Sequence, residues 1–113
     1  MEPRLKTSLW VQSQIRLCDL MFLPISITRK GDPDSGALIL RLNKRNSCCQ
    51  LFRRIISNQD FLDWMLVGGA DIISFEDAAS YLEREVTRDR DLWIVEIDDF
   101  ANKYIIQGSR DTI

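Results

Sequence analysis

The sequence predicts an α+β fold, a single compact domain in which two helices pack on an antiparallel or mixed sheet of four to six strands. Several short segments alternate apolar and polar residues, residues 73–89 carry an amphipathic helical pattern, and GDPDSG at 31–36 is typical of a turn. The chain has 113 residues, 45% of them hydrophobic, which suits one domain whose core needs neither metals nor cross-links.

The N-terminal segment predicts a short strand and then a helix. Residues 4–11 alternate between apolar and polar, whereas the apolar residues that follow recur at helical spacing. Because the residue before a proline avoids helical backbone, the helix is expected over 11–22 and should end before Pro24. Its buried stripe would be Val11, Ile15, Cys18 and Phe22.

Two further strands, 24–30 and 37–44, are expected to pair as a hairpin across the turn at 31–36. The second of them would turn one face to the core, formed by Leu38, Leu40 and Leu42. After a polar turn, the mixed apolar pattern of 47–56 predicts a third strand.

Residues 61–67 predict another strand, although the spacing over 59–67 also permits a helix. Residues 73–89 form the clearest helix of the chain. Ser74 can cap this helix, with Asp77 three residues later in the first turn, where the helix dipole favours acids. Its buried stripe would be Phe75, Ala79, Leu82 and Val86.

The C-terminal part predicts a strand at 92–97 and a short edge strand at 103–106. Alternation along the first of these gives two faces, Trp93, Val95 and Ile97 against Leu92, Ile94 and Glu96. We expect one domain over 1–113 with an ordered core of about 4–106 and a frayed tail at 107–113.

Composition argues against most catalytic and cofactor chemistry. The chain has no histidine, which removes the commonest general base, the usual nucleophile pairs and most zinc sites. Its cysteines have no framework spacing and are expected to be reduced thiols: Cys18, Cys48 and Cys49. No apolar run reaches the length of a membrane span, so we expect a cytoplasmic protein without membrane contact. The missing histidine and the cysteine spacing lead us to expect no cofactor, metal or catalytic residue.

A basic set in the 41–54 region is the candidate binding surface. It consists of Arg41, Lys44, Arg45, Arg53 and Arg54. A sheet face with cations and an aromatic residue can hold single-stranded nucleic acid, although solvent-facing hairpin charge is the simpler interpretation. Glu96 joins this set, because a carboxylate within an apolar strand must pair, face water or serve a site, and Arg41 and Arg53 are natural partners.

Acidic residues elsewhere receive structural interpretations. Two acids in the 31–36 turn fall short of a calcium loop, and turn geometry already accounts for them. The charged junction at 88–91 is interpreted as the end of the second helix, where Glu85 can pair with Arg88 three residues later.

Two segments carry a family resemblance. RKGDPDSGALILRLN at 29–43 and REVTRDRDLWIVEIDD at 84–99, with an opening RLKTSLWV, resemble a small alphaproteobacterial family known as a domain of unknown function. The likeness spans about 4–106, and the middle segment SCCQLFRRIISNQDFLDW departs from the family pattern. The resemblance implies a compact α+β domain in a bacterial cytoplasm and implies no chemistry.

The leading functional hypothesis is a non-catalytic protein-interaction module that acts through a protein partner or self-association. Strands 47–56 and 103–106 are the expected edges for strand addition. The alternative is an RNA- or single-strand-binding domain that uses the 41–54 basic hairpin. A third hypothesis is an enzyme that uses carboxylates, for which the candidates are Asp32, Asp34 and Glu96.

Overall fold

A computed structural model describes residues 6–34, 36–56, 62–106 and 110–112. The elements follow in the order α1 (Thr7–Leu20), β1 (Ile25–Arg29), β2 (Leu38–Lys44), β3 (Cys48–Ile56), β4 (Leu62–Val67), β5 (Ile73–Ser74), α2 (Phe75–Arg88), β6 (Trp93–Asp98) and β7 (Arg110–Thr112). The predicted α+β class, with two helices on a mixed sheet, is confirmed for this part of the chain. Residues 62–67, whose spacing permits a strand or a helix, form a strand, and residues 59–61 lie outside the described residues.

The sheet has the strand order β1-β6-β2-β3-β4-β7, with the two-residue β5 beside one end of β3. β6 runs antiparallel to β1 and parallel to β2, β3 is antiparallel to β2 and β4, and β7 runs parallel to β4. The predicted hairpin of β1 with β2 is therefore wrong, because β6 lies between them. β6 is apolar on both faces, and such a strand is stable only in the interior of a sheet.

The hairpin that does form joins β2 to β3. Its register pairs Leu40 with Phe52 and Lys44 with Cys48. Asn46 and Ser47 turn the chain with positive φ angles of 63° and 54°.

The two helices cover opposite faces of the sheet, and each face has its own core. The core on the α1 face is rich in aromatic residues and includes Trp10, Val11, Cys18, Leu38, Leu40, Leu42, Phe52, Trp64, Trp93, Val95, Ile97 and Tyr104. The core on the α2 face is aliphatic and includes Ile39, Cys49, Leu51, Val67, Ile73, Ala78, Leu82, Leu92 and Ile94. The predicted inward leucines of β2 and the two predicted faces of 92–97 are confirmed.

Helix α1 begins earlier than predicted. Residues 7–11 are helical, so the predicted strand is wrong there, and residues 4–5 lie outside the described residues. Lys6 provides no side-chain cap, and the first turn is instead held by the 31–36 loop, since Thr7 Oγ1 donates to the Gly36 carbonyl at 2.8 Å. The buried face is Thr7, Trp10, Val11, Gln14 and Cys18, whereas Ile15 and Phe22 are exposed.

Helix α2 starts where its cap predicts. The Ser74 hydroxyl accepts a hydrogen bond from the Asp77 backbone N–H at 3.1 Å. The buried stripe differs by one position from the prediction, because Ala78 is buried and Ala79 is exposed. At the other end, Arg88 Nη1 lies 3.6 Å from Glu85, as predicted.

The chain after β6 also differs from the prediction. Residues 103–106 form no strand, and Tyr104 is buried against the α1 face. Arg110–Thr112 forms β7 at the sheet edge, within the tail that was expected to fray. Residues 107–109 and 113 lie outside the described residues.

Candidate interaction surface

The 31–36 loop and the 88–93 junction interlock. Asp32 N–H donates to the Asp91 carbonyl at 3.1 Å, and the Trp93 indole Nε1–H donates to the Asp32 carbonyl at 2.7 Å. A Cβ atom at Gly36 would lie 2.6 Å from the Asp91 carbonyl oxygen, so only glycine permits this approach. The two segments with the family resemblance thus bind each other, and these contacts stabilise the fold.

The predicted basic set is divided between the two faces of the sheet. Arg41 and Arg53 lie on the α2 face, Lys44 and Arg54 lie on the α1 face, and Arg45 is exposed at the hairpin turn. The division follows from strand alternation, which sends residues at odd and even positions of β2 to opposite sides. The structure therefore does not form one continuous basic face from these residues.

Arg41 and Arg53 already have partners on the α2 face. Arg41 Nε donates to Asn43 Oδ1 at 2.8 Å, and its guanidinium carbon lies 4.7 Å from the ring centroid of Phe75. Arg53 Nη1 lies 3.6 Å from Glu85. These contacts occupy both cations within the fold.

Glu96 is held by an amide rather than by an arginine. Asn43 Nδ2 donates to Glu96 Oε1 at 2.6 Å and to Asp98 Oδ1 at 2.8 Å. Arg41 reaches Glu96 only through Asn43, and Arg53 pairs elsewhere, so neither predicted partner contacts the carboxylate directly in the contacts described. The polar row on β2 and β6 satisfies its own hydrogen bonds.

Lys44 belongs to a network that the sequence analysis missed. Its Nζ lies 3.3 Å from Oδ2 of Asp99, a carboxylate that is fully buried. Asp99 also accepts hydrogen bonds from the backbone N–H groups of Lys103 at 2.7 Å and Tyr104 at 3.1 Å. Burial with a cation and two donors indicates a structural clamp on the chain after β6. No spacing motif marks Asp99 in the sequence.

The carboxylates of the enzyme hypothesis are far apart in the topology. Asp34 is exposed and lies 3.6 Å from Lys6, at the start of α1. The Asp32 carbonyl binds the indole of Trp93, which points to the opposite face of β6 from Glu96. Within the described ranges, no group of three or more metal-ligating side chains occurs.

A groove of about 530 Å³ opens beside the β2–β3 turn. It is lined by Lys44, Arg45, Asn46, Ser47, Phe75 and Phe100. Phe100 is half-exposed, so this end of the molecule combines cations with aromatic rings at the surface. Arg45 is the member of the predicted basic set that lies exposed at this groove.

The corner between α1 and β1 has an unusual backbone. Leu23 N–H donates to the Cys18 carbonyl at 2.8 Å and Phe22 N–H donates to the Asp19 carbonyl at 3.2 Å, the bonding pattern of a Schellman motif. Phe22 occupies the left-handed position of this motif, with φ 58°, where glycine is the usual residue. An aromatic residue at such a position carries backbone strain of about 1–2 kcal/mol.

The side chains at this corner are apolar and exposed. Phe22 is 92% exposed, Leu20 is 77% exposed, and Ile27 on the neighbouring strand is 41% exposed. A groove of about 580 Å³ lies here, lined by Cys18, Asp19, Leu20, Phe22, Leu23 and Pro24. We call the segment 20–27, with its exposed Leu20, Phe22 and Ile27, the corner surface.

β1 lies at one edge of the sheet. One side of the strand pairs with β6, and along the chain segments described here no strand pairs with the other side. The predicted edge strand at 47–56 is wrong, because β3 lies between β2 and β4. The second predicted edge, 103–106, is not a strand.

Sequence reasoning missed the corner surface because helical spacing assigned Phe22 to the buried stripe of α1. A usable signal was present in Pro24, which ends the helix and leaves the residues just before it outside the regular spacing. The direction of the Phe22 side chain follows from the left-handed backbone, which spacing does not reveal.

Two of the three cysteines, Cys18 and Cys49, are buried thiols of low nucleophilicity. Burial, followed by the charge of Asp99, raises the pKa of the Cys18 thiol to about 11, and burial also raises the pKa of Cys49. A thiol with a raised pKa is protonated and weakly nucleophilic near neutral pH. The three cysteines are free thiols.

Neither helix among the described residues is long and apolar enough to cross a membrane.

Comparison with known proteins identifies relatives of the whole domain. Residues 5–107 match the family model described as "Protein of unknown function (DUF1491)". A search of curated proteins finds no match.

Three solved structures share the fold, and two of them are of DUF1491 family proteins. The crystal structure of a DUF1491 family protein from Caulobacter crescentus is 27% identical, with a TM-score of 0.81 over 95% of this chain and 99% of that chain. An NMR structure from the same organism is 26% identical, with a TM-score of 0.81 over 97% and 99%. A solution structure of an A. tumefaciens protein is 26% identical, with a TM-score of 0.72 over 84% and 86%.

Proposed function

The chain belongs to the DUF1491 family, and we propose that it acts as a non-catalytic protein-interaction module that binds an extended protein segment at the β1 edge. The added segment would pair with the outer side of β1 and contact the corner surface through apolar side chains. In this mode, backbone hydrogen bonds provide affinity and neighbouring side chains provide selectivity.

The observation that carries the proposal is the conformation of Phe22. A residue held in a strained backbone region persists because the surrounding structure fixes it, and such residues concentrate at functional sites. Here the strained residue is a phenylalanine with 92% of its surface exposed, so burial in the monomer does not repay the strain. Contact with a partner would bury the ring.

The position of the corner surface supports the same role. Exposed Leu20 and Phe22 lie in the segment that leads into β1, and exposed Ile27 lies on β1 itself, so one ligand could contact them and the strand backbone together. Clustered exposed apolar residues are typical of protein-binding surfaces, whereas single ones are common on any protein.

A displayed library of extended peptides provides the test. Peptides selected on the wild-type chain should bind Phe22→Gly and Ile27→Lys at least about tenfold more weakly, because these variants remove an apolar anchor or add a charge. Ile105→Lys is the matched control, since Ile105 is 77% exposed and lies outside the corner surface. Amide hydrogen exchange should slow at 25–29 when the peptide binds.

Selected peptides that bind all three variants equally would contradict the proposal, as would a selection that yields no binder. Phe22→Gly has the further value that glycine is the preferred residue at its position, so the free energy of unfolding should not fall. Lost binding in a fully folded variant separates a binding role from a structural one.

Binding of single-stranded nucleic acid is a second candidate, favoured by the cationic and aromatic groove beside the β2–β3 turn. Base stacking on Phe100 and phosphate contact with Arg45 are the interactions that this groove could supply. A labelled oligonucleotide should then bind more weakly as salt rises, and Arg45→Ala should reduce its affinity. Salt-independent affinity would rule this candidate out.

We also propose a cytoplasmic location in a bacterium. The support is the three free thiols, which suit a reducing compartment, and the bacterial origin of the solved relatives.

A further inference from the structure

We infer that the segment added to β1 is the β1 strand of a second copy of this chain, in an antiparallel arrangement about a two-fold axis; this inference rests on the proposed function. Three observations point to a second copy: the charge layout of the segment, the placement of its isoleucines and the position of a bulge in β1.

The two ends of this segment carry charges of opposite sign, so two antiparallel copies can pair them. Residues 20–28 contain no charged side chain, Asp19 precedes them, and Arg29 and Lys30 follow. At the first end, Arg16 lies three residues before Asp19, and Asp98, whose N–H donates to the Pro24 carbonyl, adds a second acid, so this end is net acidic. At the second end, Arg90 and Asp91 contribute opposite charges close to Arg29, so the sign of that end comes from Arg29 and Lys30. An antiparallel pair therefore sets the basic end of each copy against the acidic end of the other.

The bulge fixes where the axis would pass. The pairing of β1 with β6 is regular from Ile25 to Ile27 and shifts register before Arg29. A bulge bends a strand away from flat pairing, so the flat part available to a partner is centred on Ser26. A two-fold axis at Ser26 places Ile25 of each copy opposite Ile27 of the other.

The same axis brings the charged end of each copy towards the aromatic end of the other. Lys30 follows the last residue of β1, so it would lie towards the start of the other copy's β1, where the chain leaves α1 through Phe22, one helical turn after Asp19. A lysine can bind both an aromatic face and a carboxylate. The two lysines would lie about 27 Å apart, at 3.4 Å per residue, which is beyond the screening distance of about 8 Å in physiological salt.

A parallel arrangement lacks these contacts. It would set Lys30 of one copy beside Lys30 of the other, and like charges directly opposite destabilise strand pairing. The antiparallel dimer extends the sheet through both copies and covers the exposed Phe22 ring of each copy with the end of the other copy's strand. A five-residue strand and one corner form a small interface, so the dimer should be weak and depend on concentration.

Sedimentation velocity of the full chain between about 1 μM and about 1 mM tests the inference. The wild type should shift from monomer to dimer, and Ile27→Lys and Phe22→Gly should each raise the dimer dissociation constant at least about tenfold. Ile105→Lys should leave the dissociation constant unchanged, because Ile105 lies outside the interface.

Exchanging the charges of Lys30 and Asp19 gives the most direct test of the dimer. Lys30→Glu alone and Asp19→Lys alone should each weaken the dimer, and the double variant should restore it to within about threefold of the wild type. Both side chains are exposed, so a change in monomer folding does not account for such a rescue.

The outcomes separate this inference from the function on which it rests. A chain that stays monomeric at every concentration, or a dimer that Ile27→Lys leaves intact, overturns the second-copy assignment. If that monomer still binds selected peptides at 25–29, only the identity of the partner was wrong. A chain that neither dimerises nor binds peptides overturns both.

Discussion

The two faces of the sheet are built differently, although each is covered by a helix of 14 residues. On the α1 face, aromatic side chains dominate, and the rings of Trp10 and Trp64 lie 5.2 Å apart at an interplanar angle of 48°. On the α2 face, aliphatic side chains form a smaller core, and a polar row from Arg41 to Asp98 occupies the end beyond the helix.

The difference shows how each face is closed. The α1 face has a second cover, the chain after β6, where the Tyr104 hydroxyl donates to Gln14 Oε1 at 2.6 Å and Asp99 clamps the backbone. The α2 face has no such second cover among the described residues, and its uncovered end is filled by hydrogen-bonded polar groups. Stability should therefore depend more on the α1 face than on the α2 face.

The largest expected effect comes from the centre of the α1 face. Trp64→Ala should lower the free energy of unfolding by about 3–5 kcal/mol, because it removes a fully buried indole and leaves a cavity beside Trp10. Urea denaturation followed by circular dichroism measures this change. A loss below about 1 kcal/mol would show that this face does not dominate stability.

A smaller effect is expected on the α2 face. Leu82→Ala should cost about 2–5 kcal/mol as a core truncation, near the lower end since Leu82 lies at the boundary of its core. Ala79→Ser is the matched control on the same helix, and it should stay within about 0.5 kcal/mol because Ala79 is exposed. Equal losses at both positions would contradict the stripe that buries Ala78 and Leu82.

The smallest effect concerns the second cover of the α1 face. Tyr104→Phe should cost about 1–3 kcal/mol at neutral pH, because Gln14 Oε1 loses its buried donor. Equilibrium unfolding of the two proteins across the pH range measures the change. An unchanged free energy of unfolding at pH 7 would show that the chain after β6 contributes little.

The same variant predicts a change in alkaline behaviour. Burial raises the pKa of Tyr104 in the folded chain above its ordinary value of about 10. The unfolded chain then releases this proton first, so the contribution of Tyr104 to stability is complete below about pH 10 and falls as the pH rises further. Tyr104→Phe should flatten that fall. The remaining slope comes from Cys18 and Tyr81, whose pKa values burial raises to about 11 and about 12, and from Cys49, whose pKa burial also raises.

Local signals predicted most elements of the fold correctly. The Ser74 cap placed the start of α2, and alternation placed β2 and β6 with the right residues on each face. The arrangement of the candidate site residues could not be predicted from local signals. The basic residues of 41–54 were identified from their types, but strand alternation divides them between two faces, and most bind partners inside the fold.

Contacts between distant segments account for the errors. Helix α1 extends to Thr7 because the 31–36 loop binds its first turn, a contact across 29 positions. Asp99 and Tyr104 form their buried hydrogen bonds because the chain after β6 packs on the α1 face. Phe22 is exposed because a left-handed backbone turns it away from its helix.

Periodicity and capping depend on neighbouring residues, so the amino-acid pattern was enough to predict the class of the fold, the two-sided apolar character of β6 and the capped start of α2. That β6 separates β1 from β2, that β3 is internal and that β1 lies at an edge follow only from how all the strands pack together. Strand order minimises the exposure of the whole apolar surface, and that sum depends on every element together. The proposed binding edge is a product of this order.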